Sequence, residues 1–331
     1  MSSARKPMIY LGVFFVLALF YYFYEHKGGI ERAESEQQAS KALQFSPDSA
    51  AAISITGSSG IITLECLEDG WELVNPVAAA ADSEAVARLL GSVSSAVHDR
   101  VVEDSAADLS IFGLENPQLV FSVTPISSGI PQVLQLGNKN PGETFIYASN
   151  SRNPGRVVLL NSWLLGDLDR TVFQLRDKSL FQFQKDEVER LTVKVLDSRD
   201  IEITRNGDHW DVRSGATFRA DRDSVDAILD MLADTETEGF IDQLPPQWET
   251  TYQLDQPALT LQLYMEDGSS CGMQFGARDT SGHYYAVRQD EKDNVYIAGA
   301  ELFDLLCANP SRLRDMAPDG DGNEDIKSTE N

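Results

Sequence analysis

The chain has 331 residues, 52 of them acidic and 27 basic, for a formal net charge of −25. That balance excludes nucleic-acid binding through a basic surface, which needs Lys and Arg clustered against phosphate. Hydrophobic residues make up 42% and aromatics 9%, enough to bury a core and to exclude wholesale disorder. The length fits roughly two domains, and three cysteines are too few for a disulfide scaffold.

Residues 1–7 carry Arg5 and Lys6 and precede an uncharged apolar run over 8–24, MIYLGVFFVLALFYYFY. As a helix it spans about 25 Å, a little short of a hydrocarbon core of about 30 Å. Tyr10 at one end and Tyr21, Tyr22 and Tyr24 at the other suit the two membrane interfaces. Arg5 and Lys6 favour a cytoplasmic N-terminus. The run closes on Tyr-Tyr-Phe-Tyr-Glu-His-Lys, without the small residues of a cleavage site. The expectation is therefore a transmembrane signal anchor rather than a cleaved signal peptide. It makes the protein single-pass in the cytoplasmic (inner) membrane, N-terminus inside, with the bulk of the chain in the periplasm. Residues 25–44 are mostly polar and read as a tether.

Beyond the tether the chain repeats itself. Trp71 recurs as Trp210, Leu114 and Pro117 as Leu254 and Pro257, Gly137 as Gly276, and Arg176 as Arg314, always 138 to 140 positions later. A period this long is a tandem domain duplication, not a solenoid. It places one repeat at 45–180 and a second at 181–316, with an acidic tail over 317–331.

The elements follow the same order in each copy. Two or three strands (52–56, 61–67 and 71–74; then 188–196, 201–205 and 210–212) lead to a helix. Asp82 or Ser83 caps the first helix, with Val86, Leu89, Leu90, Val93 and Val97 as its apolar stripe. Asp221 caps the second, with Val225, Ile228, Leu229 and Leu232. A loop of about fifteen residues follows, then four strands (119–124, 132–136, 144–148 and 157–160; then 259–264, 272–275, 284–287 and 295–298). A short helix closes each copy, at 162–168 and 300–307. Hairpin turns such as Asp267-Gly268 predict largely antiparallel sheets and an α+β class.

A Trp after a turn, then Pro and a capped helix, Phe-Gly-Leu-x-x-Pro at Phe112–Pro117, Leu136-Gly137, and Leu-Arg-Asp-Lys at Leu175–Lys178 together form a pattern. It resembles the bacterial family of domains of unknown function 4340, over roughly 45–316. The resemblance implies an N-terminal membrane anchor and a gene neighbourhood shared with ABC-type transporters of the gliding-motility kind. It implies no catalytic residue. The second copy departs at Gln253, where the first has Gly113, and at Ala317 or Pro318, where the first has Lys178.

Catalytic constellations are hard to find. His26, His98, His209 and His283 stand too far apart for metal-ligand spacing. Cys66, Cys271 and Cys307 read as small buried hydrophobes, with a Cys271–Cys307 disulfide as an alternative in an oxidising compartment. Asp319, Asp321, Asn323, Asp325 and Glu330 match positions 1, 3, 5, 7 and 12 of a calcium loop. Position 6 is Glu324 where the turn wants Gly, so a disordered acidic tail is the plainer reading. No cofactor motif is present. Trp71, Trp210, Phe112 and Tyr252 read as core packing. The acidity itself reads as a solvated surface, or as a face for a basic partner.

The functional expectation is a membrane-anchored extracytoplasmic accessory or scaffold protein, not an enzyme. By the resemblance its partner is an ABC-type transport system. The alternative is a ligand-binding module using the cleft between the copies, and a hydrolase comes last.

Overall fold

The computed structural model describes residues 14–17, 19–22, 38–198, 200–289, 291 and 294–314. Residues 14–17 and 19–22 are helical with exposed side chains. Among the described residues no helix is long and apolar enough to cross a membrane. The rest of the apolar run, most of the tether and the acidic tail lie outside the described residues. The chain divides into two compact units, the division falling between Asp177 and Lys178.

The first unit contains β1 (Ala50–Gly57), β2 (Gly60–Leu67), β3 (Gly70–Asn75), β4 (Ala79–Ala80), α1 (Ser83–Ser95) and β5 (Arg100–Glu103). It continues with β6 (Leu119–Pro125), β7 (Gln132–Lys139), β8 (Phe145–Asn150), β9 (Asn153–Asn161), α2 (Trp163–Leu168) and α3 (Val172–Leu175). The nine strands form one sheet in the order β4-β3-β2-β1-β6-β7-β8-β9-β5. Every neighbouring pair is antiparallel. Two meanders thus meet at β1 and β6, and α1 carries the chain from one edge to the other.

The second unit repeats this. It runs β10 (Val188–Val195), β11 (Ile201–Asn206), β12 (His209–Ser214), β13 (Ala216–Ala220), α4 (Arg222–Asp234) and β14 (Gly239–Ile241). It ends with α5 (Trp248–Thr251), β15 (Leu259–Met265), β16 (Ser270–Arg278), β17 (Tyr284–Arg288), β18 (Val295–Ala298) and α6 (Ala300–Leu306). Its order, β13-β12-β11-β10-β15-β16-β17-β18-β14, is that of the first sheet, strand for strand. The central strands also match in detail. β1 and β10 show the same sequence of buried and open positions, as do β6 and β15. Both central pairings are interrupted at the same place, at Ala50/Ala52 and at Val188/Arg190. Two antiparallel sheets with packed helices make the fold α+β, as expected.

Alternation explains the central strands: Leu119, Phe121 and Val123 of β6, like Leu259, Leu261 and Leu263 of β15, point into the core. The helix stripe explains α1, which buries Val86, Leu89, Leu90 and Val93. Each such side chain contributes about 1.5–3 kcal/mol on leaving water. Asp82 accepts a hydrogen bond from the Ala85 N–H at 2.9 Å, and Asp221 does the same for Ser224 at 3.0 Å. The predicted stripe, reaching Val97, overruns the helix by two residues. α1 ends at Ser95, so Val97 lies beyond its C-cap and is exposed.

The expected fifteen-residue loops hold more structure than their sequence announces. β5 and β14 lie within them, each pairing with a single neighbour at the sheet edge. At four and three residues, Arg-Val-Val-Glu and Gly-Phe-Ile contain strand-favouring residues but are too short to show an alternation. β4, β13, α3 and α5 are further short elements absent from the sequence reading.

Candidate functional site

The shared landmarks are fold-holding residues. Gly137 lies where an added Cβ would sit 2.2 Å from the Phe112 carbonyl oxygen, and Gly276 where it would sit 2.1 Å from that of Tyr252. Only glycine permits this close approach of a loop carbonyl to the strand. The loops so pinned build a small secondary core. In the first unit Leu114 packs with Phe112, whose ring lies 5.0 Å from that of Tyr147. In the second, Leu254 packs with Tyr252, 4.3 Å from Tyr285. Pro117 and Pro257 are half-buried just before β6 and β15. Trp210 is buried, while Trp71 is half-buried against its core.

The closing segments tie back to the helix caps. The Asp82 N–H donates to the Leu175 carbonyl at 2.9 Å, and the Asp221 N–H to that of Leu313 at 2.7 Å. Arg176 bridges Ala81, and Arg314 bridges Ala220. Arg176 is buried, and the Arg314 guanidinium lies 5.0 Å above the Phe218 ring.

The titratable residues singled out by sequence do not converge. His26, Asp319, Asp321, Asn323, Asp325 and Glu330 lie outside the described residues. His209 stands 3.5 Å from Asp211, and His283 3.8 Å from Asp279, each within its own hairpin. His98 borders a polar cavity of about 50 Å³ beside Ser149 and Arg156. Among the described residues no three His, Cys, Asp or Glu side chains are grouped to hold a metal ion. None of the three cysteines is in a disulfide, so the Cys271–Cys307 pairing is not formed. Nor are all three buried: Cys66 is exposed towards the end of β2, and Cys307 is the exposed C-cap of α6, one residue past buried Leu306. Partial desolvation of the thiol and the nearby Asp304 carboxylate push the Cys307 pKa up, which keeps it protonated.

A chemical contrast between the units lies elsewhere, and sequence reasoning missed it. In the second unit an apolar pocket of about 330 Å³ opens between sheet, helix and closing segment. Leu191 and Val193 of β10 and Ile203 of β11 form its floor. Ile228 and Met231 of α4 face Leu305 and Leu313 across it, and Arg312 stands at the lip. The corresponding place in the first unit carries a polar latch. Ser92 of α1 donates its hydroxyl to Asp167 of α2 at 2.9 Å. Arg170 holds the same residue, its Nε donating to the Asp167 carbonyl at 2.7 Å. At the repeat offset, Ser92 becomes Met231, Asp167 becomes Leu305 and Arg170 becomes Ala308. A signal was therefore present: three polar-to-apolar exchanges at positions that face one another.

The model of the family described as "Domain of unknown function (DUF4340)" matches residues 71–217 and again residues 210–318. The chain belongs to the DUF4340 family. The two matches begin at Trp71 and Trp210, the same landmark in each repeat, so the family's domain is present twice. No curated protein and no solved structure matches the chain. In this DUF4340 protein, what the two copies share is architecture and what separates them is the chemistry beside the first helix of each unit.

Proposed function

We propose that this DUF4340 protein is a non-catalytic accessory protein of the cell envelope. The apolar run at 8–24 anchors it in the cytoplasmic membrane with both units outside. The units act as recognition modules for a protein partner, which the family resemblance suggests is an ABC-type transport system. One observation carries this reading. Every landmark common to both units is spent on the fold, while the residues beside α1 and α4 diverge from a charged latch to an apolar pocket. A shared scaffold says little about function, which is carried by the sites that differ upon it.

Crosslinking in native membranes followed by affinity purification tests it. Transporter subunits are expected at near-stoichiometric levels, and recovery of the protein alone would sink the partner assignment. Orientation has its own check. A reporter fused after Asn331 is expected to be active only outside the cytoplasm, and cytoplasmic activity would overturn the anchor.

A second reading, a ligand-binding module, is favoured by the pocket itself. At about 330 Å³ it falls within the range of roughly 300–1,000 Å³ typical of small-molecule sites, and its lining is mainly apolar.

A further inference from the structure

We propose that the pocket of the second unit binds a single aliphatic chain bearing an anionic head group. The inference rests on the ligand-binding reading and not on the accessory role.

Three observations select this chemistry. First, the walls are aliphatic. Leu, Ile, Val and Met side chains line the pocket, and no aromatic ring or carboxylate does. Branched and flexible aliphatic walls adapt to a hydrocarbon chain, whereas flat ring ligands are usually met by stacked aromatics. Second, the polar groups at the lip leave one charge to offer. The Ser224 hydroxyl is engaged by Asp221 at 2.6 Å, and the Asn309 side-chain oxygen accepts from the Ser311 N–H at 2.9 Å. Arg312 is exposed and has no ion-pair partner among the described residues. A guanidinium with no ion pair among the described residues, beside an apolar pocket in a chain of net charge −25, marks where a carboxylate or phosphate head is drawn. Third, the first unit shows the same scaffold shut. There Ser92, Asp167 and Arg170 join α1 to α2, and Val172 packs on the core from the closing segment. The second unit replaces all three latch residues with Met231, Leu305 and Ala308. The latch is dispensable for the fold, so its replacement by apolar lining is a change of surface chemistry at a fixed position.

A free fatty acid and a monoacyl phospholipid share this chemistry, and the test separates them. The full chain is held in phosphatidylcholine nanodiscs and irradiated with diazirine-labelled palmitate, or with a diazirine-labelled lysophosphatidylglycerol, and the adducts are mapped by mass spectrometry. Adducts are expected on peptides containing Met231 and 305–313, and excess unlabelled palmitate or lysolipid should remove them. The stronger of the two probes identifies the source. Each two-carbon shortening of a competing acid should weaken it about tenfold. Arg312→Gln should weaken palmitate about tenfold and leave its methyl ester unchanged. Grafting the latch, Met231→Ser with Leu305→Asp and Ala308→Arg, should abolish labelling. Ala227→Phe, which fills the pocket from α4, should do the same if the graft does not fold. Adducts confined to the 8–24 run, labelling that survives both pocket-closing variants in folded protein, or equal loss of acid and ester in Arg312→Gln would overturn the proposal. Co-purification of transporter subunits without pocket labelling would sink this inference alone, and labelling without a protein partner would sink the accessory role alone.

Discussion

Gly113 and Gln253 hold the same left-handed backbone, at φ +71° and +55°. That conformation costs a non-glycine residue about 1–2 kcal/mol. The first unit meets the demand with glycine. Its Asn138 side chain crowds the site, 2.6 Å from where a Cβ would stand. The second unit accepts the strain, and Ala277 stands at the Asn138 position. Gln253→Gly is therefore expected to stabilise the protein by up to about 1 kcal/mol, and Gly113→Ala to destabilise it by about 2 kcal/mol or more. Urea unfolding followed by fluorescence reads both, and Gly113→Ala combined with Asn138→Ala should recover part of the loss. Tyr296 supplies a second test. Burial, then its hydrogen bond to Glu291 at 2.6 Å, raise its pKa to about 12. The folded state thus favours the neutral phenol, and its contribution is full below pH 10 and lost as pH rises towards 12. Tyr296→Phe should flatten the fall in Tm over that window. Neither feature was readable from sequence: Gln gives no sign of a positive φ, and the Glu291 contact depends on how the chain folds around it.

At the scale of elements, legibility tracked burial on one face. α1 and α4 were foreseen with their caps because a 3.6-residue stripe and an Asp at its start are local signals. Asp82→Ala and Asp221→Ala should each cost about 1 kcal/mol, measured as a drop in unfolding free energy. The backbone N–H of each cap residue also donates to the closing segment, and that hydrogen bond does not depend on the side chain removed. The central strands were equally legible from alternation. The edge strands were not, since β4 is Ala-Ala and β14 is Gly-Phe-Ile, segments made strands only by the neighbour they meet. The pocket was half legible. Leu191, Val193, Ile201, Ile203 and Ile228 fall in strands and a helix that the sequence predicts, but the lining from 308 to 313 does not, and which polar positions have turned apolar emerges only when the two copies are set side by side in register.

For the molecule as a whole, the duplication was the strongest sequence signal, because landmarks spaced at 138 to 140 residues need no structural knowledge to find. Function was the weakest, since those landmarks describe packing. The repeated topology also poses a problem of assembly. During folding, β6 needs a partner with the pattern of β1, and β10 offers the same arrangement of buried positions. A strand joined to the wrong copy would bury nearly as much as one joined to the right copy, and tandem domains are prone to this kind of exchange. Synthesis order supplies a discrimination that contact chemistry lacks. The first unit is complete at Asp177 before Val188, the first residue of β10, has been made. A chain diluted from denaturant has no such schedule, so refolding is expected to give more strand exchange between the two sheets than emergence of the chain from its N-terminal end.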